Sequence, residues 1–420
     1  MTLSISDILR AARARQRPVV CLLIPVSAAM EFRPVQRSRV LWLRNRARRA
    51  VNWMRFASGL GMDFHFTSYE DHHSTNRGDI AIRLASCELL REAFGTAIEI
   101  IEIGWDEVTG LDADAINAHA DLFVIGGGGY YFLDRAGRLS QRIPRDLAVL
   151  RRLTCPVISL CPGVNRLLPD RKGDPITVDP LARAQFAELL HLMQLSSVRD
   201  ELSRQVLDLV VPGRTVALAD PALFLRPATP PPPRQADGIL HVGLNIAFHD
   251  TRPNQEMPQR LRLVVEVAQA MARRWPCRFH YFVHSEAERL IPSLLRHLGV
   301  RVTVVDAPSS AMVTAYAGLD LHICQMLHSS ILCLNAGVPA INLSYDVKNA
   351  GFLDMMGLHG FCLPGPETGR DELLAAVEQV LARRPSLVST IAARKIALKR
   401  DMDAYLADAV GLVQARIAAA

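Results

Sequence analysis

Past residue 60 the chain alternates short, unbroken apolar runs with longer segments whose apolar positions recur at helical period. That alternation reads as the strands of a parallel sheet wrapped by helices. Strands are predicted at Phe64–Tyr69, Ile98–Ile103, Leu122–Ile125, Val157–Cys161 and Ser196–Val198. Helices are predicted between them at Asp79–Phe94, Ala113–Ala120, Pro144–Leu153, Pro180–Gln194 and Glu201–Val211. The pattern breaks at Arg226–Gly238, RPATPPPPRQADG, where a proline run favours extended, semi-rigid chain. It then restarts, with strands at Leu240–Ala247, Arg278–His284, Val302–Val305, Leu319–Cys324 and Ala340–Leu343. The helices of this second series fall at Glu256–Arg274, Glu286–Leu298, Ser309–Ala317 and Ser329–Ala336, and an alanine-rich helical stretch, Glu372–Ala419, closes the chain.

The expectation is therefore an α/β protein of two Rossmann-like, doubly wound domains facing a cleft. Its divisions are a basic N-terminal extension packed on the first domain (1–60), a first domain (61–225), a proline-rich linker (226–238), a second domain (239–385) and a helical tail (386–420). In this architecture the tail can cross back to brace the first domain. With half of 420 residues hydrophobic there is enough apolar material for two cores. Ligands of such sheets sit beyond the carboxyl ends of the strands, which places the candidate site in the cleft.

Charge modifies the picture at one end. The formal excess of +6 gathers between Arg10 and Arg55, where twelve arginines face a single acidic residue, Glu31. Val40–Phe56 reads as a helix with Val40, Leu43, Ala47, Val51 and Met54 on one face, arginines elsewhere, and Trp42 and Trp53 as large amphipathic rings. It suits peripheral contact with an anionic membrane; a helix packed on the domain with a solvated arginine face is the other reading. Nucleic-acid binding is disfavoured because no recognition motif accompanies the charge. No run reaches the ~20 apolar residues that span a bilayer. Val19–Met30 follows a basic leader as a signal peptide does, but Pro25, Cys21 and the helical leader favour a buried strand at Val19–Val26 and a cytoplasmic protein. The eight cysteines form no C-x-x-C pair and read as reduced, structural thiols.

Four motifs carry candidate chemistry. Asn76-Arg77-Gly78-Asp79 opens a helix, where Gly78 lets backbone approach a ligand and free amides attract an anion; simple capping by Asn76 and Asp79 is the alternative. Asp121–Gly129 runs a buried strand into Gly126, Gly127, Gly128 and Gly129, followed by Tyr130 and Tyr131, either sugar-stacking rings or a cover over the sheet edge. It lacks the spacing of a dinucleotide site. Arg199, closing a strand, offers a planar fork for carboxylate or phosphate, or makes a structural ion pair. In the longest motif His328 closes a strand at the lip of a helix whose Ser329 and Ser330 amides cradle an anion, and Lys348 reaches in from the next strand end. A loop, Glu70-Asp71-His72-His73, has metal-ligand residue types, though contiguous residues on one loop rarely converge.

In this order, Asn76/Gly78/Asp79, Asp121 with Gly126–Gly128, Arg199/Asp200/Ser203, Asp220-Pro221-Ala222, His328, Gly337/Pro339 and Tyr345/Lys348 resemble the polysaccharide pyruvyl transferase family over roughly residues 64–358. The resemblance implies a GT-B-like fold and phosphoenolpyruvate as donor substrate, with no cofactor or metal. It also implies ketal transfer to a sugar of a cell-surface polysaccharide or of its lipid-linked precursor. On that reading His328 is the acid/base and Asp79 takes a hydroxyl proton. Arg199, Lys348, Ser329 and Ser330 hold the donor; Asn76, Gly78, Gly126–Gly129 and Tyr130 line the acceptor side. The family pattern has an arginine where Met326 stands here: either Lys348 or an arginine from elsewhere compensates, or the donor differs, or catalysis is lost. A nucleotide-sugar glycosyltransferase and a non-catalytic sugar-binding relative are the rivals.

Overall fold

The computed structural model describes residues 4–28, 39–58, 76–95, 98–134, 136–166, 177–231, 237–248, 252–365 and 367–419. The predicted strand Phe64–Tyr69 and the Glu70–His73 loop lie outside the described residues.

Six consecutive apolar residues form β1 (Val19–Ile24), and every one is buried. A run with no polar alternation needs cover on both faces, which a strand has only inside a parallel sheet. Accordingly β1 lies between β2 (Glu99–Gly104) and β3 (Leu122–Ile125), parallel to both. β4 (Gly128–Leu133) leaves the end of β3, and β5 (Val157–Ser159) completes the order β2-β1-β3-β5. β6 (Pro162–Arg166) pairs with β4, and β7 (Ser197–Val198) with β8 (Val216–Ala217). This corrects the expected N-terminal extension: residues 19–24 are an interior strand of the first sheet. Among the described residues, the packing of the basic helix, Arg39–Ala57, is on the C-terminal half rather than on that sheet. Phe56 is buried in the core of the C-terminal half, and the Trp53 ring meets the edge of His297 at 5.0 Å. The face the helix packs is not the expected one: Leu43 and Met54 are exposed, whereas Asn52 and Phe56 are buried.

The second sheet holds β9 (Leu240–Leu244), β10 (Cys277–Phe282), β11 (Val302–Val305), β12 (Leu321–Cys324), β13 (Ala340–Ser344) and β14 (Cys362–Pro364). All pairs are parallel in the order β11-β10-β9-β12-β13-β14, the doubly wound order in which the chain reverses direction between β9 and β12. The crevice at that reversal is where such sheets take ligands.

Several elements hold the halves together. The helix Arg77–Phe94 gives Ala81, Ile82 and Ala85 to the C-terminal core, and Cys87, Leu89 and Leu90 to the layer under the first sheet. Its Arg77 amide donates to the His284 carbonyl (2.9 Å), and Ser309 Oγ donates to the Arg77 carbonyl (2.7 Å). The final helix, Arg370–Ala419, packs Leu373 to Leu398 on the second core. It then carries Met402, Leu406, Ala409 and Val413 beneath the first sheet, where Tyr405 donates to the Ser159 carbonyl at 2.6 Å. Among the described residues no helix is long and apolar enough to cross a membrane.

Leu406 is fully buried against the first sheet. Leu406→Ala is therefore expected to destabilise the protein by ~2–5 kcal/mol, and Tyr405→Phe by ~1 kcal/mol. Denaturant unfolding checks this; an unchanged midpoint for Leu406→Ala would show that the closing helix does not brace the first sheet.

Candidate active site

Four helix starts and a 3-10 turn gather at the carboxyl ends of both sheets. In three of the helices and in the 3-10 turn a polar residue stops the chain in extended conformation and caps the turn that follows, the reason these residue types stand there. Asn76 Oδ1 accepts from the Gly78 and Asp79 amides. Asp200 caps Glu201–Asp208 through the Ser203 amide (2.7 Å), Asp220 caps the turn Pro221–Phe224 (3.0 Å), and Asp346 caps Val347–Met355 (3.2 Å). Met326 stands at the N-cap of the fourth helix, Leu327–Asn335, with no side-chain cap. Helix N-termini carry partial positive charge, so their convergence favours an anion.

The chemistry-bearing side chains meet at Asp220. Its Oδ2 lies 3.7 Å from His328 Nε2 and 3.9 Å from Arg199 Nη1, ion-pair distances too long for hydrogen bonds. Arg199 Nη2 donates to Asn165 Oδ1 (2.7 Å), and Nε sits 3.5 Å from Asp200 Oδ2. Arg199 Nε, Asp200 Oδ2, Asp220 Oδ2, His328 Nε2 and Gln325 Nε2 are all buried without a hydrogen-bond partner. Such a cluster is costly in a protein interior and marks a place built for polar ligand atoms. Burial pushes the Asp220 carboxyl up, but His328, Arg199 and the Ala222 amide outweigh it and hold its pKa below the usual range. Asp200, more dominated by burial, is held above it. Burial also works against the Lys348 ammonium, yet Tyr345 and Asp346 outweigh it and raise its pKa.

The Gln325–His328 turn is fixed from below. The Met326 amide donates to Asn245 Oδ1 (3.2 Å), and Asn349 Nδ2 donates to the Gln325 carbonyl (2.9 Å). Beneath it runs a buried series: His284 Nε2 with Tyr316 (2.9 Å), Tyr316 with Ser329 (2.8 Å), and Ser329 with His322 Nε2 (2.7 Å). Burial lowers His322 to about 3 and His284 well below the ordinary histidine value, so both are neutral.

The structure brings together Asn76, Gly78, Arg199, His328 and Lys348. Gly78 lies so close to the His328 ring that a Cβ there would fall 2.1 Å from Nδ1. Asp79 holds the Asn76 amide (2.7 Å). Lys348 Nζ sits 3.6 Å from Asp346 and 5.3 Å from the Tyr345 ring centroid, while the Tyr345 hydroxyl lies 4.0 Å from Met326 Sδ.

Other expectations are corrected. His328 belongs to the first turn of its helix rather than to the strand. The Ser330 amide is spent on the Met326 carbonyl (3.3 Å), which removes it from the expected cradle, and the Ser329 and Ser330 hydroxyls are committed to His322, Tyr316, Cys324 and Asn342. Tyr130 is fully buried and donates to Asp146 (2.8 Å); it cannot stack on a sugar, because an aromatic beside a sheet edge is first claimed by the core. Gly126 and Gly127 admit Ile24 and Ile82, Gly128 (φ +100°) admits Pro25 and Trp105, and Gly129 lies on Asn165, so close protein packing explains all four. Asp220, Asn165, His284 and Gln325 were not singled out as site residues. Asp220 did stand in the Asp-Pro-Ala element, and a capping aspartate before a proline was its signal.

The family model for polysaccharide pyruvyl transferase matches residues 76–347. No curated protein matches the chain. Among solved structures, MnaA of S. aureus with UDP covers 75% of this chain and 87% of its own at 8% identity and a TM-score of 0.50. The UDP-GlcNAc 2-epimerase of Methanocaldococcus jannaschii covers 72% and 90% at 10% identity (TM-score 0.46). Trehalose-6-phosphate synthase OtsA covers 94% and 99% at 11% identity (TM-score 0.48). The structure is GT-B-like, two Rossmann-like units with parallel sheets; the likeness to MnaA is one of fold alone.

Two expectations follow from the geometry. Gly78→Ala suits a helix but drives a methyl into His328, so it should disable the site while leaving the Tm within a few degrees, read by melting and turnover together. Burial pushes Glu288 up to about 8 from 4.5. Across that window the folded chain holds a proton the unfolded chain lacks, so stability falls as pH rises. Glu288→Gln should flatten this fall and melt above the parent at pH 8; equal slopes would refute it.

Proposed function

The chain belongs to the polysaccharide pyruvyl transferase family, and on that premise we propose that it transfers an enolpyruvyl group from phosphoenolpyruvate to a sugar of a cell-surface polysaccharide or its precursor, closing a pyruvate ketal. The observation that carries this reading is the Asp220 cluster, in which Arg199 and His328 share one buried carboxylate and retain unmet hydrogen-bonding capacity, with Lys348 on the opposite half. A small ligand with a carboxylate and a phosphate suits two cations and an imidazole.

In the proposed reaction Arg199 and Lys348 hold the two anionic groups. His328 delivers a proton to the methylene carbon, leaving an oxocarbenium-like centre, which is general acid catalysis by the side chain best suited to neutral pH. A sugar hydroxyl adds to that centre and Asp79 takes its proton. Phosphate leaves as hydrogen phosphate, carrying that proton, and a second hydroxyl closes the ketal while its proton returns to His328. One donor and one diol thus give one ketal and one hydrogen phosphate. Asp220, 3.7 Å from Nε2, keeps His328 oriented.

Met326 is apolar where the family pattern is basic, and Lys348 is linked to it through Tyr345. We infer that Lys348, itself part of the family pattern, carries a larger share of the donor's charge here.

His328→Ala should reduce turnover ~10²–10⁴-fold with the fold retained. In D2O one deuterium should enter the ketal methyl; substantial activity in the variant, or an unlabelled methyl, would sink the assignment. Lys348→Gln should weaken phosphoenolpyruvate roughly tenfold or more. Met326→Arg in that background should recover part of the loss, and failure to recover any would argue against substitution of one cation for the other.

A further inference from the structure

A second polar hollow opens on the first sheet, beside the Asp220 cluster. It has a volume of about 400 Å³ and is lined by Asp106, Phe132, Ser140, Gln141, Arg142 and Arg145. It adjoins the cluster through β4, because Phe132 is the register partner of Asn165, the residue that binds Arg199. Neighbouring strands lie ~4.8 Å apart, so a ligand of a few sugar rings can bridge the two places.

The walls of this hollow are held rigidly. The buried Asp146 carboxylate accepts from Tyr130 (2.8 Å) and from Arg145 Nε (2.9 Å), and Arg145 Nη2 donates to the Trp105 carbonyl (2.5 Å). Trp105 in turn packs against Gly128, at the start of β4. Over its ring lies the Arg142 guanidinium, 4.1 Å from the centroid. Arg142 is half-buried, and burial leads the causes that lower its pKa, yet it makes no hydrogen bond to any described residue. Its rigid fork of donors is presented to the hollow over the ring, with the Asp146 and Asp106 carboxylates as its nearest opposing charges. The Ser140 hydroxyl, also on the lining, is buried without a hydrogen-bond partner.

We propose that this hollow binds an anionic sugar of the acceptor, with its phosphate or carboxylate on Arg142. A planar guanidinium without an acceptor pairs best with a two-oxygen anion. Arg145, paired with Asp146, holds the wall in place, Ser140 offers a hydroxyl, Phe132 offers an apolar surface for a sugar face, and Asp106 and Gln141 can accept from sugar hydroxyls. The lone carboxylate, Asp106, excludes multiply charged anions with no hydroxyls to offer it. The inference rests on the pyruvyl-transfer reading for the word acceptor but not for the binding itself. Phosphate esters and uronates share the chemistry described.

The test is calorimetric titration of the full chain with three sets of hexose probes: 1-phosphates, uronates and methyl glycosides of glucose, galactose and mannose. At least one charged probe should bind tenfold or more tighter than its methyl glycoside, and the better of the two charged sets identifies phosphate or carboxylate. Arg142→Gln should erase that preference, whereas Asp106→Asn should strengthen binding of the charged probe. Phosphoenolpyruvate titrated into the Arg142→Gln protein serves as the control for an intact fold. Equal binding of charged and neutral probes, a preference that survives Arg142→Gln, or no binding of any probe would each overturn the proposal. Failure of phosphoenolpyruvate alone, with the charged-sugar preference intact, would remove the pyruvyl-transfer reading and leave the sugar site standing.

Discussion

The ion-pair cluster at Asp220 is the constraint on which the rest of the site depends. It lies in the N-terminal half, fully buried at the start of a 3-10 turn, and it faces both Arg199 of that half and His328 of the other. A buried carboxylate is tolerated only when its charge is met, and a buried arginine likewise. Arg199 and Asp220 face each other within the first half, and closure of the two halves brings His328 against the same carboxylate. Gly78 at the His328 ring, the Arg77 amide on His284, and the long closing helix all serve the same closure.

The local charge pattern has a functional consequence. Asp200, Asp220 and Asp346 are both capping groups and counter-ions, each within 4 Å of a cation or histidine. An anion entering the cluster competes with these carboxylates for Arg199, His328 and Lys348 while keeping the favourable field of the helix starts. Because the caps bind their own amides, the carboxylates cannot follow the cations toward the ligand. That arrangement favours a compact ligand with more than one anionic group, and it is the physical reason to prefer an enol phosphate over a neutral sugar at this place.

Much of this was legible in the sequence where one residue type answers one physical demand. Apolar runs such as Leu122–Ile125 appear as strands with the predicted bounds, and Asn76, Arg199, His328 and Lys348 lie at element junctions that the sequence reading marked. What was not legible depended on which neighbour would claim a side chain. Tyr130 is equally suited to a sugar and to a core, and Asp146 decides for the core. The glycines after β3 signal close approach but not to what; Ile24, Ile82 and Trp105 fill the space. Gly128–Leu133 and Pro162–Arg166 escaped as strands because glycine and proline at their starts mask strand propensity. The basic helix was read with the wrong face: Leu43, Ala47 and Met54 are exposed, while Asn52 and Phe56 are buried and Trp53 meets His297.

The central claim is that the Asp220 cluster is a site for phosphoenolpyruvate. Equilibrium titration of the purified full-length chain with phosphoenolpyruvate, beside UDP, UDP-sugars and inorganic phosphate, tests it most directly. The expected result is saturable binding of phosphoenolpyruvate that is abolished in Arg199→Gln and is not matched by any nucleotide. Binding of a UDP-sugar with no response to phosphoenolpyruvate would contradict the claim and turn the same cleft to glycosyl transfer.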